Sequence, residues 1–345
     1  MKTTTRAVLS FLCVVVLAPV TWASVIVDRT FYLMGTQLQV SVSAPDRAAG
    51  LRASEAIFKA VESAEQRLST WRLDSELSRV NHTPLEAEIK VSKLLYRDLR
   101  NAYSCGDWTH YAFDPAIGPL VTAWGLRTGG RIPSHAEIVT ATRDSNAANF
   151  VLTTGSVIRK AAGAQFEEGS FGKGIGLDDA LDSIQGTQLT GVRMNFGGQI
   201  STTTPLVVTL AHPTDRNQTV LDVTLGPGSI STSGNSEHGQ WVNGRNVGHL
   251  LDPQLGVPSS FPGSVSVVAE NGFTADCLST ALFVMGPVKG LKWLEQNASR
   301  GVQGIFMIPA GRTLIARASC GLKGRLKARR AGVRIEYDCG TVSNN

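Results

Sequence analysis

Two oxygen-bearing side chains lie one helical turn apart in the segment FTADCLSTALFVMG, residues 273–286. Asp276 and Thr280 are four positions apart, and residues with this spacing share one face of a helix. The apolar neighbours predict that the helix is buried, and a buried carboxylate usually has a partner or a metal ion. Two interpretations are open. Asp276 complements the helix dipole behind an N-cap at Thr274, or it joins Thr280 in an oxygen-rich site for a hard cation such as Mg2+.

Glycine-rich turns recur along the chain, and each could present backbone N–H groups to a phosphate. Lys173 lies within one of them and could add a point charge, although a surface lysine at a helix start is the alternative. No Walker A loop and no GxGxxG after a strand is present, so the usual dinucleotide-binding folds are not supported. The turns are MGT at 34–36, SFGKG at 170–174, NFGGQI at 195–200 and STSGN at 231–235.

Polar residues in two further segments are candidates for proton transfer or binding. The segment VGHLLDPQLGVP contains His249 and Asp252, and YAFDPAIGPLVTAWG contains Asp114. A histidine at its ordinary pKa of about 6.5 can accept a proton near neutral pH. The structural alternatives are a histidine without a chemical role and two Asp-Pro turns.

The elements that must position these residues are a mixture of helices and antiparallel strands. Apolar spacing predicts helices over 51–68, 91–104 and 175–184, and Ser134 with Glu137 predicts a capping box. The sequence therefore favours an α+β class with mixed helices and antiparallel strands and no clean domain boundary. The predicted strands are two around Met34-Gly35-Thr36 and the segments GVRMNFGGQI, LVVTLA, VLDVTLG, SISTSG, SVSVVAE and VQGIFMIP.

The two ends of the chain differ in composition from its body. Residues 1–23 combine a positive start, an apolar core and a small-residue cleavage site, which predicts a signal peptide and a periplasmic location. An uncleaved segment would instead anchor the protein at the inner membrane. Residues 311–345 hold eight Lys or Arg against Glu336 and Asp338. This basic C-terminal extension is interpreted as a solvated face or a contact with a membrane surface, whereas an exported protein meets little nucleic acid.

Four cysteines follow the predicted cleavage site, and export permits disulfides. Cys320 and Cys339 flank the basic segment and are the natural pair. Cys277, within the apolar run beside Asp276, is expected to be a buried thiol. The remaining cysteine is Cys105, and no Cys/His cluster indicates zinc.

The order of the motifs resembles the FAD:protein FMN transferases, the ApbE family, from about residue 28 to 310. The most specific parts are HLLDPQLGVP and ADCLSTALFVMG, similar to the family motifs H-x-x-D-P-x-T-G-x-P and A-D-x-x-x-T-A. This resemblance places the catalytic domain at 24–310 and implies the family's flavin transferase fold, a single catalytic domain of two lobes with helices packed on antiparallel sheets. The motifs run in the order LMGT, STWRLDSELSRVN, AFDPAIGPLVTAWG, GSFGKGIGLDDA, MNFGGQI, SISTSGN, GHLLDPQLGVP and TADCLSTALFVMG.

The resemblance also implies residue roles. Asp276, Thr280 and the backbone carbonyl of Ser170 would hold Mg2+, while His249 would accept a proton and Lys173 would meet the phosphates of FAD, the substrate. The remaining residues implied for the FAD site are Met34, Trp71 as a ring-stacking residue, Ala112, Phe113, Asp114, Glu167 and Leu250. This chain departs from the family pattern at five positions. Trp71 replaces a frequent Tyr, Glu167 and Gln199 replace Asp, Ser170 is the small residue at its position, and Leu255 replaces the usual Thr.

The reaction implied is the transfer of FMN from FAD to a Ser or Thr hydroxyl of an exported flavoprotein, with release of AMP. Two alternatives remain open. The same site could pass the phosphorus to water as a FAD pyrophosphatase, or the departures at 167 and 255 could leave a non-enzymatic flavin-binding protein.

Overall fold

Nineteen strands and seven helices are present in residues 24–235, 240–242 and 244–339, which the computed structural model describes. The predicted signal peptide at 1–23 lies outside these residues. The helices are α1 (Arg47–Leu68), α2 (Glu76–His82), α3 (Lys93–Trp108), α4 (Gly118–Ala123), α5 (His135–Asp144), α6 (Gly172–Asp182) and α7 (Gly272–Gln296). The strands are β1 (Val25–Leu33), β2 (Thr36–Ala44), β3 (Glu88–Lys90), β4 (Phe150–Thr153), β5 (Ser156–Arg159), β6 (Gly191–Phe196), β7 (Gln199–Thr202), β8 (Leu206–His212), β9 (Asp215–Leu225), β10 (Gly228–Gly234), β11 (Gln240–Val242), β12 (Arg245–Val247), β13 (Leu251–Asp252), β14 (Val257–Pro258), β15 (Ser264–Ala269), β16 (Gln303–Ala310), β17 (Thr313–Ser319), β18 (Leu326–Ala328) and β19 (Val333–Asp338).

A nine-stranded sheet in the order β1-β2-β6-β7-β10-β15-β16-β17-β19 runs through the molecule. Neighbours pair antiparallel except β17 with β19, which are parallel. Every residue of β15 is buried, because this strand is covered on both faces. The register pairs Ser231 of β10 with Val267 of β15. The smaller sheets are β18-β9-β8, β3-β5-β4, β11-β12 and β13-β14.

Helices and a second sheet cover the large sheet in layers. Helices α1 and α6 pack against β1, β2 and β6, whereas α7 packs against β10, β15 and β16. Apolar residues of β8 and β9 pack against those of β15 to β17. The inner face of α1 confirms its predicted spacing, since Ile57, Val61, Ala64 and Leu68 are fully buried.

Helix α6 begins earlier than its apolar pattern predicts, and two glycines permit its close approach to α7. A Cβ at Gly174 would lie 2.5 Å from the carbonyl oxygen of Gly272, and a Cβ at Gly272 would lie 2.6 Å from that of Gly174. Asp178 of α6 accepts hydrogen bonds from the N–H groups of Gly272 (2.6 Å) and Phe273 (2.8 Å). The start of α7 is thereby fixed against the first turns of α6.

The cap of α7 differs from the candidate suggested by the sequence. Asn271 is the N-cap, and its side chain accepts from the N–H of Thr274 at 2.8 Å. Thr274 as N-cap is therefore wrong; it lies in the first turn. The helix breaks at Gly286, which has φ 70°, immediately before Pro287. The predicted capping box at Ser134 and Glu137 is confirmed at the start of α5.

A buried ion network joins three helices beneath the sheet. Arg67 of α1 donates to Asp98 of α3 and to Asp179 of α6, both at 2.6 Å. Arg97 binds the same two carboxylates at 2.8 and 2.7 Å. Because breaking a buried pair leaves an uncompensated charge, this network holds α1, α3 and α6 in one arrangement.

Two disulfides are present, and one of them corrects the sequence interpretation. Cys320 and Cys339 are bonded as predicted, with 4.6 Å between their Cα atoms. The prediction of a free thiol at Cys277 is wrong, because Cys277 is bonded to Cys105. Both residues are fully buried, Cys105 on α3 and Cys277 on α7. The bond links α3 to the residue that follows Asp276.

The described part of the basic C-terminal segment is built into the sheets. Strand β17 extends the large sheet, β19 forms its edge, and β18 pairs with β9. Arg325 and Arg330 donate to backbone carbonyls of Thr224 and Thr219, and Arg329 pairs with Asp222 at 3.1 Å. These arginines therefore fasten β18 and the loop after it to β9. None of the helices in the described part of the chain has the length and apolarity needed to cross a bilayer.

Candidate active site

A cavity of about 570 Å³ lies where the first turns of α6 and α7 face β10 and the loop before β13. All of the predicted site residues except Met34 line it. Met34 lines a neighbouring cavity of about 870 Å³. Trp71, Gly169, Lys173 and Gly197 border both cavities, so the two are adjacent. The predicted residues on the first cavity are Trp71, Ala112, Phe113, Asp114, Glu167, Ser170, Lys173, His249, Leu250, Asp276 and Thr280.

Asp276 lies at the junction of α6, α7 and β10. Its side chain is only 4% exposed. Oδ2 accepts a hydrogen bond from the N–H of Gly174 at 3.0 Å, and Oδ1 accepts one from the hydroxyl of Ser231 at 3.4 Å. The buried carboxylate is thus partly satisfied by protein donors, and its position one residue before a disulfide restricts its movement.

Thr280 and Ser170 line the same cavity as Asp276 and carry further oxygen atoms. Thr280 follows Asp276 by one helical turn, and its hydroxyl lies 3.5 Å from that of Ser233. The N–H of Gly174 goes to Asp276. Within the described chain, no backbone N–H is donated to the carbonyl of Ser170, which lies just before α6.

This donor set fits a hard cation. A carboxylate, a hydroxyl and a backbone carbonyl are all oxygen ligands, which Mg2+ prefers. In the described residues no group of three or more His, Cys, Asp and Glu side chains is placed to hold a metal. The oxygen donors supplied by the protein are therefore few, and a cation bound here would complete its coordination with ligand or water oxygens.

Glu167 forms a compact charged group with Arg127, Thr70 and Glu168 at the side of the cavity. Arg127 forms an ion pair with Glu167, and the hydroxyl of Thr70 bonds to Glu168. Burial raises the pKa of Glu167 to about 7, and the charge of Glu168 adds to this shift while Arg127 and Thr70 oppose it. Burial likewise raises the pKa of Glu168.

Asp114 is held by the turn that its Asp-Pro sequence indicates. Its Oδ1 accepts from the N–H of Ala116 at 2.8 Å, and its Oδ2 accepts from the N–H of Ala147 at 3.2 Å. Burial raises the pKa of Asp114 to about 6, although these two hydrogen bonds act in the opposite direction. Asp114 therefore orders the cavity wall that contains Ala112 and Phe113.

Trp71 borders both cavities, and Met34 lines the second one. The indole of Trp71 is 67% exposed, and the guanidinium carbon of Arg127 lies 4.5 Å from its ring centroid. Met34 has φ 46° in the turn between β1 and β2, and its N–H donates to Glu65 at 2.9 Å. Both positions are fixed by contacts with neighbouring charged side chains.

His249 and Leu250 lie in the loop between β12 and β13. His249 is half-buried and Leu250 is 8% exposed. Asp252 accepts from the N–H groups of Gln254 (2.8 Å) and Leu255 (3.0 Å), so the turn interpretation of this residue is confirmed. The histidine reaches the cavity, whereas Asp252 does not line it.

The sequence interpretation gave no role to several polar residues of the cavity. Arg127, Ser231 and Ser233 line it. Gln199 donates through Nε2 to the carbonyl of Gly272 at 2.8 Å, while its buried Oε1 has no partner in the described structure. The two serines belong to the glycine-rich turn STSGN at 231–235. The only local signal for Arg127 is its position between an apolar helix and a Gly-Gly turn.

The fold and this cavity define an α+β protein with a cavity of about 570 Å³, lined partly by oxygen-bearing side chains, at the starts of two helices. The chain belongs to the ApbE family, whose sequence model matches residues 34–306. It is 30% identical over 298 residues to a FAD:protein FMN transferase of Salmonella typhimurium (strain LT2), covering 80% of this chain and 82% of that relative. It is 27% identical over 270 residues to a FAD:protein FMN transferase of Klebsiella pneumoniae (strain 342), covering 77% and 84% of the two chains.

A solved structure of similar fold is the flavin transferase ApbE from Vibrio cholerae. The two structures give a TM-score of 0.78 at 24% identity, over 88% of this chain and 100% of that chain. The predicted fold class and the family resemblance are therefore confirmed. The prediction that the chain is an enzyme, a transferase, is confirmed as well.

Proposed function

We propose that this protein transfers FMN from FAD to a Ser or Thr hydroxyl of an exported flavoprotein, releases AMP and depends on Mg2+. The observation that carries this proposal is the placement of Asp276 and Thr280 on one cavity with Lys173. The names of the curated relatives support flavin transfer.

The metal is assigned to the oxygen donors of Asp276, Thr280 and the Ser170 carbonyl. Bound there, Mg2+ would neutralise charge on the pyrophosphate and on the departing phosphate. The chain's own contribution is to hold these donors still. Asp276 is bonded to Gly174 and Ser231, and the Cys105–Cys277 disulfide restrains its helix.

The phosphates of FAD are assigned to the start of α6. Lys173 is the second residue of this helix and borders both cavities. A lysine ammonium and the positive end of a helix dipole both favour an anion. A pyrophosphate at this position would lie between the two cavities, so the two halves of the dinucleotide could extend into one cavity each.

The rings of FAD are assigned to apolar and aromatic parts of the walls. Trp71 offers an exposed indole for stacking, and Phe113 and Leu250 supply buried apolar surface. Met34 lines the second cavity. The contacts of Asp114 and Glu167 keep their loops in place along the first cavity.

The transfer itself is an in-line displacement at phosphorus. The acceptor hydroxyl oxygen forms a bond to the FMN phosphorus, the bond from that phosphorus to the bridging oxygen breaks, and AMP leaves with this oxygen. His249 accepts the proton of the attacking hydroxyl. Positioning and charge neutralisation account for most of the rate in such reactions.

An oxidising compartment suits this chain. Two disulfides are present, and disulfides persist in exported proteins. We assign the protein to the periplasm, with residues 1–23 as its signal peptide. Contact of the basic C-terminal segment with an anionic membrane surface stays a prediction. Three arginines of this segment, Arg325, Arg329 and Arg330, are hydrogen-bonded to β9.

Incubation with FAD, Mg2+ and a candidate acceptor, followed by intact mass measurement of the acceptor, tests the proposal. A mass gain of one phosphoester-linked FMN is the expected result. Free FMN and AMP with an unchanged acceptor would indicate a pyrophosphatase instead. Unchanged FAD, bound but not cleaved, would indicate a flavin-binding protein. Asp276→Ala is the negative control, and Thr274→Val on the same helix is the matched control outside the cavity.

A further inference from the structure

Arg127 connects two separate segments of the cavity wall. Its Nη1 donates to the carbonyl of Thr70 at 3.0 Å, and its Nη2 donates to the hydroxyl of Thr70 and to the carboxylate of Glu167. The same guanidinium stacks on the indole of Trp71 at 4.5 Å. One side chain thus fastens the loop after α1 to the loop before α6.

We infer that Arg127 is a positioning residue that holds Trp71 in the orientation needed to stack on a ring of the flavin dinucleotide. This inference rests on the proposed function, because it concerns recognition of that substrate. Arg127 itself acts through Trp71 rather than through the reacting phosphorus.

Trp71 requires such support because little else restrains it. With 67% of its surface exposed, the indole makes few packing contacts. The guanidinium lies over one ring face, and the 67% exposure leaves indole surface available to a planar ligand. A ring that stacks there would complete a guanidinium–indole–ligand stack, in which the indole is already ordered before binding.

The charge and shape of Arg127 both suit this role. Its ion pair with Glu167 is partly buried, with the two side chains 26% and 13% exposed. Its planar fork reaches Thr70 and Glu167 at once while its face lies on Trp71. A lysine keeps the charge near Glu167 but cannot make the two Thr70 contacts and the stacking contact together.

A double-mutant cycle in the full-length protein tests the inference through FAD binding, followed by flavin fluorescence. In the wild-type background, Arg127→Ala is expected to weaken FAD binding about tenfold, the scale of one lost aromatic stacking contact. In a Trp71→Ala background, the same change is expected to weaken binding by less than about twofold, because the residue through which Arg127 acts is gone. Arg127→Lys is expected to recover less than half of the lost affinity on a logarithmic scale.

Three controls keep the result interpretable. Thermal unfolding of each variant shows that the chain has folded. Arg131→Ala removes a nearby exposed arginine, paired with Glu137 at 2.8 Å, and is expected to leave FAD binding unchanged. Turnover of Arg127→Ala at saturating FAD is expected to stay within about threefold of wild type, since the loss lies in binding.

Equal weakening in both backgrounds would overturn the inference, as would full affinity in Arg127→Ala. Full rescue by Arg127→Lys would also overturn it, since charge alone would then suffice. If wild-type protein bound no FAD, the proposed function itself would fail. The two failures are therefore distinguishable.

Discussion

The carboxylate of Asp276 accepts the N–H of Gly174 at 3.0 Å, so one side chain of α7 completes the first turn of α6. In a regular helix this N–H would bond to the carbonyl of residue 170. Its diversion to Asp276 leaves the Ser170 carbonyl outside the helical ladder and near the same cavity. The hydrogen bond to this amide does not use all of the oxygen lone pairs of Asp276, so the carboxylate keeps acceptor capacity for the proposed cation.

Asp276→Asn is expected to lower Mg2+-dependent turnover by at least about 100-fold, because a neutral amide cannot neutralise the cation. The change keeps the side-chain volume, so the fold is retained. The measurement is the rate of acceptor flavinylation across a Mg2+ titration. Thr280→Val is expected to weaken the Mg2+ response in the same direction.

Thr274→Val provides the control, since Thr274 lies on α7 but outside the cavity. Wild-type rates in Asp276→Asn at ordinary Mg2+ concentration would contradict the metal assignment.

His249→Gln is expected to lower kcat by about 100- to 10,000-fold, the range for loss of a general base. FAD affinity should change by less than about twofold, because the proton is transferred only in the reaction step. Single-turnover kinetics with pre-bound FAD measure the effect. His212→Gln, in the β8–β9 hairpin, should behave as wild type. A loss confined to KM would show that His249 binds substrate instead.

The pKa of Glu167 predicts a pH dependence of stability. Burial first, and then the charge of Glu168, raises this pKa from 4.5 to about 7, against the opposing effects of Arg127 and Thr70. Between these pH values the folded state keeps a proton that the unfolded state has released. The stabilising contribution is therefore fully present below pH 4.5 and is lost as pH rises through 7.

Denaturant unfolding of wild type and Glu167→Gln between pH 5 and 8 measures this effect. The unfolding free energy of wild type is expected to fall as the pH rises from 5 to 8, and that of Glu167→Gln is expected to fall less. Glu137→Gln is the control, because hydrogen bonds with Arg131 and Ser134 lower the pKa of Glu137 to about 2, outside the tested range. Identical slopes in wild type and Glu167→Gln would refute the assignment.

The two disulfides should differ in their contributions to stability. Cys105 and Cys277 are 172 residues apart, and Cys320 and Cys339 are 19 apart. The loop-closure relation gives about 5 kcal/mol for the longer loop and about 3 kcal/mol for the shorter one. Replacing Cys105 and Cys277 with Ala should therefore lower the free energy of unfolding more than replacing Cys320 and Cys339.

The longer disulfide should also affect the site, because Cys277 directly follows Asp276. Mg2+ is expected to bind the Cys105→Ala/Cys277→Ala variant more weakly than the Cys320→Ala/Cys339→Ala variant, as measured by calorimetry with FAD present. Equal Mg2+ affinity in the two variants would show that packing alone positions Asp276.

Much of this fold is legible in local sequence patterns. The apolar spacing of α1, the capping box at Ser134 and the alternation in β1 and β2 each depend on residues within a few positions of one another. Most of the site residues predicted from the order of the motifs line one cavity. Met34 lies apart because its turn belongs to the adjoining cavity.

Features that depend on distant partners were missed. The contacts of Arg127 with Thr70 and Glu167 span 57 and 40 residues, and no local pattern records them. The close approach of α6 to α7 depends on Gly272, far along the chain. The Cys105–Cys277 bond had a signal that could have been used. Pairing Cys320 with Cys339 leaves these two cysteines, both on apolar helix faces.

The edges of the nine-stranded sheet come from opposite ends of the described chain. Strand β1 begins at residue 25 and β19 ends at residue 338. The growing polypeptide therefore cannot complete this sheet until nearly its whole length has been synthesised, although β10 and β15, two of the strands against which α7 packs, precede that helix in the chain. Premature termination between β16 and β17 would yield a product in which the edge of β16 that pairs with β17 is exposed, a surface prone to self-association.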